Sequence, residues 1–148
     1  MRRMEELPWD IAETSLALRR AFDRKASALG VTRAQWRVLA HLYRQPGQRQ
    51  VELAERMDIE PITLCRMIDR LEDSRLAERQ RDPADRRAWR LFLTPKAEPL
   101  VERLHCLAAE LAGEAFAGIN HTDIAVIRAA LARVRDNVSS APKGRATA

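Results

Sequence analysis

Residues 76–97 read LAERQRDPADRRAWRLFLTPKA, and the residue pattern changes twice along this stretch. Leu76 to Arg81 and Ala88 to Leu93 alternate as half-buried strands do: Trp89, Leu91 and Leu93 share one face, Arg90 and Phe92 the other. Between them, Asp82-Pro83-Ala84-Asp85-Arg86-Arg87 is a polar turn with proline near its start. Thr94-Pro95 then reads as a helix start, an N-cap followed by proline at the first helical position. The stretch therefore predicts an arginine-rich β-hairpin that leads into a helix. That helix is expected to run to about Ala117, with Leu100, Leu104, Leu107 and Leu111 on its apolar stripe.

Upstream of the hairpin the period is helical. Val51, Leu53, Ala54 and Met57 mark a short helix, Asp58-Ile59-Glu60 a break, and Pro61 the first position of a second helix. The second helix is expected to bury Leu64, Met67, Ile68 and Leu71 and to expose Thr63, Arg66 and Arg70. Two short helices across such a break form a helix-turn-helix, with Ala54 small enough for a close crossing and Ile59 and Leu64 filling the space between. A charged hairpin directly behind it is a wing. Farther upstream, Ile11, Leu18, Phe22 and Leu29 predict a helix stopped by Gly30. Thr32 and Gln35 form a capping box for the next helix, whose stripe is Trp36, Leu39 and Tyr43 and which ends at Pro46-Gly47.

At the other end, Thr122 is expected to cap a last helix carrying Ile124, Ile127, Leu131, Val134 and Val138. This seam is narrow enough to suit a partner helix. From Ser139 onward the chain is small, polar and basic, and is expected to be disordered. The fold class is mainly α with a small β-hairpin wing: a winged helix-turn-helix flanked by terminal helices.

Composition bounds the rest. The chain has 148 residues, enough for one domain with a real core, and is 46% hydrophobic and 32% charged. Its 26 Lys+Arg outnumber 21 Asp+Glu, and the only lysines are Lys25, Lys96 and Lys143. Arginine suits phosphate and base-edge recognition because its planar fork binds bidentately, although a GC-rich genome produces the same bias. Cys65 and Cys106 have no CxxC spacing, which excludes a zinc ribbon and fits a reducing compartment. Neither a signal-peptide core nor a run long enough to span a bilayer is present in the sequence, so a cytoplasmic protein with no membrane partner is expected. His41, His105 and His121 show no metal-ligand spacing, and no phosphate loop, nucleophile elbow or HExxH appears. No metal, cofactor or catalytic residue is expected.

The segments Asp82-Pro83-Ala84-Asp85-Arg86-Arg87-Ala88 and Leu91-Phe92-Leu93-Thr94-Pro95-Lys96-Ala97 resemble the wing signature of the MarR family, a D-x-R core followed by a hydrophobic strand and an L-T-x-K-[AG] helix start. Thr94 to Leu100 is most similar to the SlyA-type subgroup. The resemblance covers roughly residues 10–138 and implies a single MarR-type domain over 1–148. In that domain, about 8–30 and 95–138 are dimerisation helices, about 32–94 the DNA-binding lobe, and 139–148 a tail. It further implies a homodimeric, sequence-specific regulator of transcription, a repressor or anti-repressor. Its recognition helices would enter successive major grooves of a palindrome, with the wing tips in the flanking minor grooves. The apolar stripes of the terminal helices agree with a dimer, exceeding what one small domain buries. Two departures stand out. Asp58 occupies a turn position where glycine is common, and Pro99 is expected to bend the long helix.

The DNA-contacting residues expected on these grounds are Thr63, Arg66 and Arg70 in the recognition helix and Arg86, Arg87 and Arg90 in the wing. Arg86 is the candidate for insertion into a narrow minor groove. By resemblance, Asp85 supports the wing by holding a neighbouring arginine. The duller alternative pairs Arg66 with Asp69 and Arg70 with Asp73 as surface bridges. The family's response to small aromatic or phenolic effectors implies a pocket, for which Phe22, Trp36 and His41 are candidates, with core packing the competing role for the two aromatics. Other readings are a thiol- or ligand-responsive sensor, with Cys65 in the recognition helix, and a protein-interaction module that binds no DNA.

Overall fold

The computed structural model describes residues 2–140. Its helices are α1 (Arg2–Ser27), α2 (Arg33–Arg44), α3 (Gln50–Met57), α4 (Pro61–Asp73), α5 (Glu98–Ala115) and α6 (His121–Ser139). The strands are β1 (Gln48–Arg49), β2 (Ala77–Arg81) and β3 (Trp89–Leu93). The chain divides into two compact units, Met1–Ala112 and Gly113–Ala148.

The first unit holds the core. Leu39 and Leu42 from α2, Leu53 from α3, Leu64, Ile68 and Leu71 from α4 and Leu91 from β3 are all fully buried. Burying an aliphatic side chain of this size contributes about 2 kcal/mol, so this cluster is the main support of the helix-turn-helix and of the sheet behind it. Thr32 caps α2 with the expected capping box, its hydroxyl accepting from the Gln35 amide while Gln35 Oε1 accepts from the Thr32 amide. Leu42 rather than Tyr43 completes the buried stripe; Tyr43 is exposed. Asp58 ends α3 in the left-handed conformation (φ 52°, ψ 49°), and Ile59 donates back to the Ala54 carbonyl at 3.1 Å.

The sheet is antiparallel with β3 in the centre, in the order β1-β3-β2. Ala77 faces Leu93 and Arg81 faces Trp89 across β2 and β3, while Gln48 faces Leu91 and Arg49 faces Arg90 across β1 and β3. The third strand, β1, escapes sequence reading because two residues carry no alternation. Gly47 precedes it at φ 78°, where a Cβ would lie 3.1 Å from the Phe92 ring. The glycine is needed for both its backbone and its lack of side chain.

The helix boundaries correct several expectations. The first helix begins at Arg2, with Pro8 inside it, rather than near residue 8. Thr94 makes no side-chain cap. Its hydroxyl donates instead to the Arg75 carbonyl at 2.5 Å, and a 3-10 turn over Pro95–Ala97 precedes α5. Pro99 is consequently the second residue of α5, where a missing donor costs little, so it imposes no bend there.

In the second unit, α6 is capped by Asn120 and not by Thr122, the Asn120 Oδ1 accepting from the Asp123 amide at 2.8 Å. No residue of α6 is buried, and Val126, Val134 and Val138 are about half exposed or more. The tail expected to be disordered lies outside the described residues from position 141 on; Ser139 ends α6 and Ser140 is its C-cap.

Candidate nucleic-acid interface

Helix α4 presents two unlike faces. Leu64, Ile68 and Leu71 point into the core. At 100° per residue the opposite ridge carries Ile62, Arg66, Asp69 and Asp73, with Thr63 and Arg70 on one flank. Thr63, Arg66 and Arg70 are exposed as expected. The guanidinium groups of Arg66 and Arg70 have no ionic or hydrogen-bonding partner among the described residues, so the surface bridges to Asp69 and Asp73 do not form. Asp69 pairs instead with Arg79 of β2 at 2.8 Å.

Arg79 is the joint between helix and wing. Its guanidinium also binds Glu72, Gln50 Oε1 at 2.9 Å and the Cys65 carbonyl at 3.1 Å. Burial works against its charge, but the Asp69 and Glu72 carboxylates outweigh that effect and hold its pKa above the ordinary arginine value. Cys65 is half-buried, its Sγ 3.6 Å from the same guanidinium, and Cys106 is exposed.

The wing is fastened at its base by Asp82, whose side chain is fully buried. One carboxylate oxygen accepts from Arg49 Nε and Arg90 Nε, each at 2.9 Å, and the other accepts from the Ala84 amide at 2.8 Å. The Ala84 hydrogen bond holds the Asp82 carboxyl below the usual range, against the effect of burial, and the two arginines add to it. Arg90 also donates to the Gly47 carbonyl at 3.1 Å. Its side chain stays about 40% exposed, so these bonds fix the position of a guanidinium that the sequence assigns to DNA contact.

Asp85 accepts the Arg87 main-chain amide at 3.0 Å, which orders the turn; holding guanidinium groups falls to Asp82. Arg81 lies over the Trp89 ring at 4.4 Å and donates to the Arg86 carbonyl at 2.5 Å, stiffening the approach to the tip. Arg86 and Arg87 themselves are exposed, their guanidinium groups without a partner among the described residues. The sequence reading missed Asp82, Arg49 and Arg79. Only Asp82 leaves a local signal, the Asp-Pro turn opening whose side chain binds the amide two residues on.

A cleft of about 390 Å³ lies in the same unit, lined by Phe22, by Trp36, Leu39, Ala40, Tyr43 and Arg44 of α2, and by Val101, Leu104, His105 and Ala108 of α5. Phe22 meets Trp36 edge-on at 4.7 Å, and Trp36 Nε1 donates to Asp23 at 2.7 Å. Arg33 is the larger cause, Trp36 a lesser one, of the Asp23 carboxyl lying below its ordinary value. His41 does not line this cleft. It is half-buried off the Ala40–Tyr43–Arg44 face, and burial, with Arg37, Arg44 and Arg56 nearby, holds its imidazole pKa below the ordinary value. His105 takes the place expected for it, 5.8 Å ring to ring from Tyr43. Among the described residues no group of His, Cys, Asp and Glu is placed to hold a metal, and no helix is long and apolar enough to cross a membrane.

Residues 29–88 match the sequence model of the MarR family. Among solved structures the chain is similar to the transcriptional regulator PA3341, at 36% identity and a TM-score of 0.82 over 90% of this chain and 98% of that one. A MarR transcriptional regulator from Methanosarcina mazei Go1 matches at 28% identity and a TM-score of 0.80, over 90% and 96% of the two chains. A cysteine-to-serine mutant of MarR from E. coli, complexed with operator DNA, matches at 26% identity and a TM-score of 0.75, over 89% and 95%.

Proposed function

The chain belongs to the MarR family of winged-helix transcriptional regulators, and from that premise we propose that it is a repressor or anti-repressor that binds a palindromic operator as a homodimer. In this reading α4 lies in the major groove and the wing tip in the adjacent minor groove. The observation that carries it is the placement of Arg66, Arg70, Arg86 and Arg87. These four exposed guanidinium groups have no partner among the described residues, whereas Arg49, Arg79 and Arg90 in the same lobe are all bound by carboxylates. Arg66 and Arg70 reach base edges, Arg86 enters the minor groove, Arg87 meets the backbone, and Thr63 meets a phosphate or a thymine methyl. A protein-interaction module would leave these positions free to be acidic or neutral, and all four are arginine. The run Thr94 to Leu100 supports a place in the SlyA-type subgroup.

The homodimer is supported by the apolar faces of the terminal helices. Leu7, Trp9 and Ile11 of α1 are exposed, as are Val126, Val134 and Val138 of α6, and a second copy would cover them. The cleft supports control by a small aromatic or phenolic effector: it is mostly apolar, with Arg44, His105 and Tyr43 supplying polar atoms. Such a ligand acts by favouring a spacing of recognition helices that does not match the grooves.

The deciding experiment is a gel shift on the intergenic DNA upstream of the chain's own gene, over a salt series. It should reveal a palindrome with half-sites about one helical turn apart, steep salt dependence, and weaker binding by Arg86→Ala. Equal affinity for random duplex, untouched by Arg86→Ala, would sink the reading. Light scattering tests the dimer, and a shifted melting midpoint with benzoate or a simple phenol tests the effector.

A further inference from the structure

Ile62 lies outside the buried core. It is 61% exposed on the outward ridge of α4, in the first turn, where a polar side chain would be less costly in water. Isolated exposed aliphatics are common on protein surfaces, so exposure alone means little. The pattern around Ile62 gives it meaning. The outward ridge is polarised along its length: Ile62 and Arg66 occupy the N-terminal half, Asp69 and Asp73 the C-terminal half, and the first turn holds no acidic side chain. A phosphate-walled groove accepts the first half of this ridge more closely than the second, where Asp73 has no cation beside it on the ridge and Arg70 lies on the flank.

An aliphatic side chain brought there cannot bond a phosphate. On the major-groove edges of the bases, the apolar group available to it is the thymine 5-methyl. We infer that Ile62 reads a thymine methyl in each half-site. Four residues separate it from Arg66, about 6 Å along the helix axis, and base pairs rise about 3.4 Å each. The thymine therefore lies within about two base pairs of the guanine that Arg66 takes. The inference rests on the operator-binding reading above and adds to it a base that the arginines alone do not specify.

The test selects duplexes from a randomised library with the full chain, wild type and Ile62→Ala in parallel. It then replaces the selected thymine by deoxyuridine, which removes only the methyl. Wild type should enrich a motif with thymine within two positions of guanine and lose about fourfold in affinity per half-site on the deoxyuridine duplex. Ile62→Ala should melt as wild type does, weaken its thymine preference while keeping guanine, and lose less affinity than wild type on the deoxyuridine duplex. Arg66→Ala should show the converse. A wild-type motif without that thymine, indifference of wild type to deoxyuridine, or undiminished deoxyuridine sensitivity in Ile62→Ala overturns the inference while leaving operator binding intact. Failure of wild type to enrich any motif overturns operator binding itself, and the inference with it. The deoxyuridine comparison on wild type needs no variant, so a poorly folding Ile62→Ala would not stall the test.

Discussion

At the base of the wing, Arg49 and Arg90 share the buried Asp82 carboxylate at 2.9 Å each; at its tip, Arg86 and Arg87 project with no partner among the described residues. The same side chain serves opposite ends in adjacent turns of chain. A guanidinium bound by a carboxylate gives up its capacity for phosphate and gains a fixed position. One left in water keeps that capacity and is worth little to the fold. Helix α4 repeats the contrast, since Asp69 and Glu72 are occupied by Arg79 while Arg66 and Arg70 stand open. Net charge does not separate the two populations; the positions of a few carboxylates do.

The comparison can be broken first at the tip. Arg86→Ala combined with Arg87→Ala should weaken operator binding about 100-fold and reduce its salt dependence, with the melting midpoint unchanged. A comparable loss of thermal stability would show that the tip is structural after all. At the joint the effect should fall on the fold: Arg79→Ala should cost about 2 kcal/mol in denaturant unfolding, through lost charge-assisted hydrogen bonds.

Asp82→Asn probes the base through pH. The Asp82 carboxyl titrates below its ordinary value of 3.8, so its stabilisation is complete above that pH and is lost as pH falls through the lower folded-state value. Melting curves between about pH 6 and pH 2 should therefore fall more steeply for wild type than for Asp82→Asn. Parallel curves would mean that charge contributes nothing to the clamp. The smallest effect belongs to a site remote from both populations. Thr32→Ala removes half of the α2 capping box and should cost about 1 kcal/mol, leaving DNA affinity intact.

What the sequence made legible was periodic or local. Helix faces such as Leu64–Ile68–Leu71, the alternation of Trp89, Leu91 and Leu93, and the Thr32–Gln35 box are all set within one or two turns of chain. What it concealed depends on pairing across long separations. Arg49 meets Asp82 only because the two-residue β1 joins β3, and nothing near position 49 announces that strand. Arg90 shows the same limit, since its bond to Asp82 spans the hairpin and nothing local marks the pairing. His105 lines the cleft and His41 does not, because Trp36, Ala40 and Tyr43 fix which side of α2 faces it. At the start of α6, two adequate caps two residues apart competed, and Asn120 prevailed with a favourable Asp123 three residues on.

Gly47 carries a consequence for how such a lobe changes over generations. Its amide donates to Leu91 at 2.9 Å, its carbonyl accepts from Arg90, and its missing side chain leaves room for Phe92. One added methyl there would meet the outer edge of the Phe92 ring, which would have to give by a few tenths of an ångström, on a backbone at φ 78° that side chains rarely adopt. Selection on the hairpin thus reaches a position that carries no side chain at all. The exposed side chains of Pro83 and Ala84 can vary at little cost to the fold, whereas at position 47 a single hydrogen atom is all that the Phe92 ring leaves room for.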